Sequence, residues 1–178
     1  MALRNIRIEG DPILRKISKP VNEITPRINE LIDDMIESLA EFNGVGLAAV
    51  QVGVLKRLCI ICIDPDDAGM DEEVRKEHDG YLCHTNGENV VVINPQITVD
   101  CDETQTGSEG CLSVPGKWGD VTRPVRITLN AYDRNMEPYE LKAEGLLARA
   151  VCHECDHMEG RLYLDLVEGE LHSDKDGE

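Results

Sequence analysis

A chain of 178 residues suffices for one hydrophobic core, and 41% hydrophobic with 30% charged residues is the balance of a soluble globular protein. Its 35 acids against 18 bases give a formal net charge of −17, which argues against a chain that wraps nucleic acid, because phosphates would be repelled. The opening MALRNIRIEGDP sets two arginines and two acids where a signal peptide needs an apolar stretch, and no run approaches a membrane span.

The seven cysteines do not have the spacing of a secreted disulfide framework, so a cytoplasmic protein whose thiols are free or bind metal is expected. In chain order, the first clear element is a helix. Thr25 is a candidate N-cap and Pro26 suits the first helical position. Ile28, Leu31, Ile32, Met35, Ile36 and Leu39 then recur at helical spacing. Asn43-Gly44 ends the stripe, with Gly44 expected in the left-handed conformation. Residues 58–63 are apolar and β-branched and predict a buried strand.

From 64 to 89 the chain becomes acidic and glycine-bearing, which predicts a surface excursion with a short helix over 72–77. Residues 90–94 return to strand, and 96–101 continue it past Pro95. Strands are also predicted over 125–132 and 139–143, joined by the turn-prone Asp133-Arg134-Asn135. Gly145 opens a second helix with Leu146, Leu147, Ala150 and Val151 on one side, and Gly160 closes it. Residues 162–167 form a short apolar segment, and the acidic tail over 168–178 is expected to fray. With no repeat or linker, a single domain over 1–178 is expected.

The second helix carries His153-Glu154-Cys155-Asp156-His157, a match to H-E-x-x-H. Helical residues four apart differ by about 40° in direction, so His153 and His157 project together and can grip one metal ion. Glu154 points about 80° from that shared direction, where a general base acting on the attacking water should stand. Two surface histidines are the bland alternative, but chance would produce the motif in only about one or two such sequences per hundred.

Catalytic sites of this type usually have three protein ligands and an open position. Downstream of the motif only His172 and scattered acids remain. Upstream lies Glu109-Gly110-Cys111-Leu112-Ser113-Val114-Pro115, whose cysteine suits zinc or iron(II) and whose Gly110 lets a backbone approach. Alone, Cys111 reads more simply as a buried core thiol. The segment Gly44-Val45-Gly46-Leu47-Ala48-Ala49-Val50-Gln51-Val52-Gly53 follows the first helix. Its glycines permit edge-on pairing with a peptide, and Gln51 can donate its amide to a developing oxyanion. Alone, this segment is a glycine-rich turn entering a packed strand.

Together, GVGLAAVQ, EGCLS and HECDH resemble the peptide deformylase family in order and spacing, over about residues 3 to 167. The resemblance implies an α+β fold with the HExxH helix between antiparallel β-sheets, and removal of the formyl group from the N-terminal methionine of new proteins. It implies Cys111, His153 and His157 as metal ligands, Glu154 as general acid/base, and Gln51 with the Leu112 N–H as oxyanion donors. Val45, Gly46 and Gly110 are implied along the bound peptide, and Glu109 paired with Arg123 behind the site. One divalent ion per chain is implied, iron(II) natively, although these ligands also accept zinc, nickel or cobalt.

The chain departs from that pattern in four places. Cys152 stands where many relatives have glutamine, and Trp118 where others often place an arginine near the substrate, so an aromatic wall is expected there. The 64–89 excursion is longer than in compact members. The end, VEGELHSDKDGE, lacks the basic helix with which some members touch the ribosome.

The competing readings are a zinc endopeptidase and a non-catalytic metal-stabilised module; the intact Glu154, Gln51 and Cys111 count against the second. Cys59 and Cys62 fall on opposite faces of a strand, so a four-cysteine zinc site with Cys152 and Cys155 is poorly disposed.

Overall fold

The structure is a computed structural model that describes residues 2–66 and 78–174. Helix α1, Pro26–Glu41, begins as its sequence dictates: the Thr25 hydroxyl accepts the Ile28 N–H at 3.3 Å, and Pro26 loses no intrahelical bond at the first turn. Its C-terminus corrects one expectation. Asn43, with φ +51, takes the left-handed position, and the N–H groups of Asn43 and Gly44 return to the carbonyls of Ala40 and Leu39. Gly44 is small for another reason: a Cβ there would lie 2.9 Å from Leu39 and 3.1 Å from Leu112.

Five antiparallel strands form the first sheet in the order β1-β2-β3-β6-β7: β1 Gly46–Ala48, β2 Leu58–Ile61, β3 Val90–Val99, β6 Arg126–Tyr132 and β7 Pro138–Glu144. The two segments predicted on either side of Pro95 are one strand with a bulge between Ile93 and Gln96. Asn94 (φ +50) absorbs the irregularity, and its side chain grips both backbone groups of Val21. α1 packs Leu31, Ile32, Met35 and Leu39 onto Leu47, Leu58, Ile60 and Ile93.

The second sheet holds β4 Thr104–Cys111, β5 Val114–Pro124 and β8 Glu168–Ser173 in that order. Two features here differ from the sequence reading. β4 and β5 carry too many polar and glycine residues to announce themselves as strands. Residues 168–173 of the tail are not frayed: they pair with β5, Trp118 opposite His172 with rings stacked at 6.2 Å. Neither feature has local periodicity, because cross-strand pairing supplies the stabilisation.

Helix α2, Gly145–Met158, lies between the two sheets, touching β1, β2, β6 and β7 on one side and β5 on the other. Gly160 (φ +71) follows it so closely to the Arg15 carbonyl that a Cβ would sit 2.6 Å away. The excursion returns to the first sheet through Leu82, which bridges Ala143 beside β7, while Tyr81 lies under Arg126 and Lys142. The helix predicted over 72–77 lies outside the described residues.

Candidate metal centre and catalytic cleft

His153 and His157 arrive on one side of α2 as their spacing requires, with ring centroids 5.0 Å apart and edge to face. Cys111 comes from the last position of β4, and its sulfur lies 3.4 Å from His157 Nε2. One donor atom from each of the three residues falls within 4.8 Å of the others, and no other group of three such side chains does so among the described residues. His172, the downstream alternative, is spent on Trp118.

A thiol and two imidazoles so placed fit a divalent transition metal. The buried Nδ1 of His157 has no hydrogen-bond partner among the described residues, and burial together with the charge of His153 holds that imidazole well below its usual value, hence neutral. Burial opposes charge on His153 too, but its bonds to Cys111 and Glu109 outweigh it and raise the group to about 10.

Glu109, buried on β4, accepts the His153 Nδ1 hydrogen at 2.9 Å, which leaves Nε2 for the metal. The Arg123 guanidinium grips both oxygens of Glu109, at 2.9 and 3.0 Å, and reaches Asp156 at 2.6 Å. Burial would raise Glu109, but these donors bring it down to about 2. Sequence reasoning did not find Arg149, whose guanidinium bonds to Glu109 at 2.8 Å, nor Tyr163, whose ring stacks on His153 at 6.1 Å. Arg149 had a signal: it stands four residues before His153, on the same stripe of α2.

Glu154 is 3% exposed, its Oε2 finds no partner among the described residues, and burial raises its carboxyl to about 7. Gly46 makes room for it, since a Cβ there would meet Glu154 Oε1 at 2.3 Å. This glycine therefore answers to the carboxylate, a constraint that peptide approach alone does not explain. Gln51 is locked from both ends: its Oε1 accepts the Ala48 N–H at 2.8 Å, and its Nε2 donates to Ser113 at 3.1 Å and to Cys111 Sγ at 3.4 Å.

These groups form the floor of a cleft of about 570 Å³. Val45, Gly46, Gly110, Leu112 and Trp118 all line it, so the structure brings every sequence-predicted substrate contact to one cavity. At Gly110 a Cβ would make only ordinary contact, 3.6 Å from the Lys117 carbonyl. Two of the selected residues do not line the cleft: Arg123, which lies under Glu109, and His157, which is buried beside Cys111. None of the seven cysteines forms a disulfide; the strand predicted over 58–63 ends at Ile61, and Cys59 on it and Cys62 just past it pack into different clusters.

The model of the polypeptide deformylase family matches residues 3–171. The chain is 51% identical over 172 residues to a peptide deformylase of Lachnoclostridium phytofermentans, covering 97% of this chain and 93% of that one. It is 49% identical to one of Agathobacter rectalis, covering 97% and 94%. Among solved structures it resembles the peptide deformylase of Ehrlichia chaffeensis, with a TM-score of 0.83 at 35% identity over 93% of this chain and 88% of that one. The same enzyme in complex with actinonin gives a TM-score of 0.82 at 36% identity, over 94% and 90%.

Proposed function

The chain belongs to the polypeptide deformylase family, and from that premise we propose how its own residues carry out the reaction. The protein is a metal-dependent hydrolase that removes the N-formyl group from the N-terminal methionine of newly made proteins and releases formate. The observation that carries the residue assignment is the convergence of Cys111, His153 and His157 beside a buried Glu154 whose Oε2 has no partner among the described residues, with Cys111, His153 and Glu154 lining one cleft.

Cys111, His153 and His157 hold one divalent ion per chain, and we read iron(II) as the native one, with zinc, nickel or cobalt accepted by the same donors. When bound, the ion acidifies the attacking water and polarises the formyl carbonyl. Glu154 takes a proton from that water and later delivers it to the departing amine. Its carboxyl, raised to about 7 by burial, exchanges a proton near neutral pH at modest cost. Charge that develops on the formyl oxygen is met by the Gln51 amide and the Leu112 N–H. The Gln51 hydrogen now turned to Cys111 Sγ is the one available for this.

β1 and β4 are edge strands of their sheets and both line the cleft. The peptide therefore lies between Val45-Gly46 and Gly110, pairing edge-on, with Trp118 as an aromatic wall. Formyl carries only a hydrogen on its carbonyl, so the narrow floor beside Gly46 and Glu154 excludes bulkier acyl groups. An endopeptidase would need a groove open on both sides of a peptide bond.

One catalytic domain acting on nascent chains in the cytoplasm completes the reading. No helix among the described residues is long and apolar enough to cross a membrane. With an acidic final segment that pairs with β5 as β8, contact with the ribosome would use another surface. Formate release from an N-formyl-methionyl tripeptide, by protein purified without oxygen and carrying about one metal per chain, is the direct test. Turnover that disappears with the N-acetyl analogue supports the mechanism. Equal turnover of both analogues would refute the narrow floor, and none with either would refute the residue assignment.

A further inference from the structure

Arg149 is 7% exposed and belongs to none of the three motifs that carry the family resemblance. Its guanidinium reaches two of the three strands of the second sheet, β4 and β5. Nη1 donates to Glu109 Oε1 at 2.8 Å, to the Val121 carbonyl at 2.8 Å and to the Gly107 carbonyl at 3.3 Å, and Nη2 to the Gln105 carbonyl at 3.0 Å. Gly107 is shaped to this contact, because a Cβ there would stand 3.2 Å from Nη2.

The consequences converge on the metal centre. β4 carries Glu109 and ends in Cys111, while α2 carries His153 and His157, one and two turns beyond Arg149. Cys111 meets both histidines across the gap between the two elements, its sulfur 3.4 Å from His157 Nε2 and bonded to His153. We propose that Arg149 is a positioning residue for metal binding: it clamps β4 to α2 and fixes Glu109 so that Cys111 and the two histidines keep one spacing.

Glu109 needs the second cation to be held in this way. Arg123 divides its charge between Glu109 and Asp156, whereas Arg149 gives its charge to Glu109 alone. With both arginines present, the buried Glu109 and the partly buried Asp156 face two buried guanidiniums, and the exposed Arg161 stands 3.8 Å from Asp156. All four donors to Glu109 are then in place: Arg123 and Arg149 on Oε1, Arg123 and His153 on Oε2. Without Arg149, Glu109 keeps a partner but loses the constraint that aims Oε2 at His153, and three strand carbonyls lose their donor.

This inference rests on the Cys111–His153–His157 assignment, and the experiment separates the two. Cobalt(II) is titrated into metal-free full-length protein against a competing chelator, under conditions where every variant is folded, and the thiolate-to-cobalt absorption band is recorded. The parent is expected to show that band, and Arg149→Met to bind cobalt about 10–100-fold more weakly with the band shifted. Arg149→Lys keeps the charge but not the planar fork, and is expected to recover only part of the affinity. It also carries the test if the methionine variant does not fold.

Ile32→Ala, in the α1 core, serves as the control: it lowers stability and should leave cobalt affinity unchanged. Arginine variants that bind cobalt as tightly as the parent, with the same band and only a lower melting temperature, would reduce Arg149 to a structural strut. A parent without the band would overturn the ligand assignment and this inference together.

Discussion

α1 buries Ile28, Leu31, Ile32, Met35 and Leu39 along one face and gives most of the other to solvent, whereas α2 buries Arg149, His153, Glu154 and His157 together with its leucine, alanines and valine. Buried polar groups occur on both helices, but they are satisfied differently. On α1, Asp34 accepts the Ala2 N–H and an Arg4 bond, and Ser38 accepts the Arg4 N–H and donates to the Asp34 carbonyl. On α2, Glu154 Oε2 and His157 Nδ1 are left without partners among the described residues. A helix that only packs closes its hydrogen-bond accounts, and one that works on a substrate keeps some open.

Breaking the open side should have the largest effect. His157→Ala is expected to lose the bound metal and reduce formate release to background, checked by elemental analysis beside the activity assay. Retention of one metal per chain would mean that His157 is not a ligand. Glu154→Gln is expected to keep metal and fold while kcat falls by about 10²–10⁴-fold. A smaller fall would remove Glu154 from the proton transfer.

On the closed side the effects move to stability. Ile32→Ala deletes methylenes from a fully buried site and should cost about 2–5 kcal/mol in denaturant unfolding, with kcat per folded molecule unchanged. A large change in kcat would show that α1 has a share in the chemistry.

The Glu109 clamp gives the comparison a pH dependence. Its folded carboxyl is lowered from 4.5 to about 2, so it binds protons less readily folded than unfolded. Its contribution to stability is therefore fully present above pH 4.5 and lost as pH falls towards 2. Urea midpoints of metal-free protein should drop across that window and drop less steeply in Glu109→Gln; parallel curves would show that other groups dominate acid unfolding. The smallest expected effect is that of Thr25→Ala, about 1 kcal/mol from the lost α1 cap, with no change in metal content.

What could be read from the sequence divides along the same line. The stripe and cap of α1 and the shared direction of His153 and His157 are local, set by 3.6 residues per turn, and the structure keeps them. Gly44 shows the limit even of local reading. Asn43 takes the left-handed conformation expected of Gly44, whose lack of a side chain is instead committed to packing against Leu39 and Leu112.

By itself, then, the sequence determined the two helices, the strands of the first sheet other than β1, and the chemistry of the H-E-x-x-H turn, because each depends on neighbours within a few residues. Only the tertiary structure decided that Cys111, 46 residues before His157, meets it at 3.4 Å, and that residues 168–173 become a strand. It alone placed Arg149 on Glu109 and a carboxylate in the space that Gly46 leaves. Those contacts join strands to a helix distant in the chain, and their stability comes from pairing and burial that no local periodicity records.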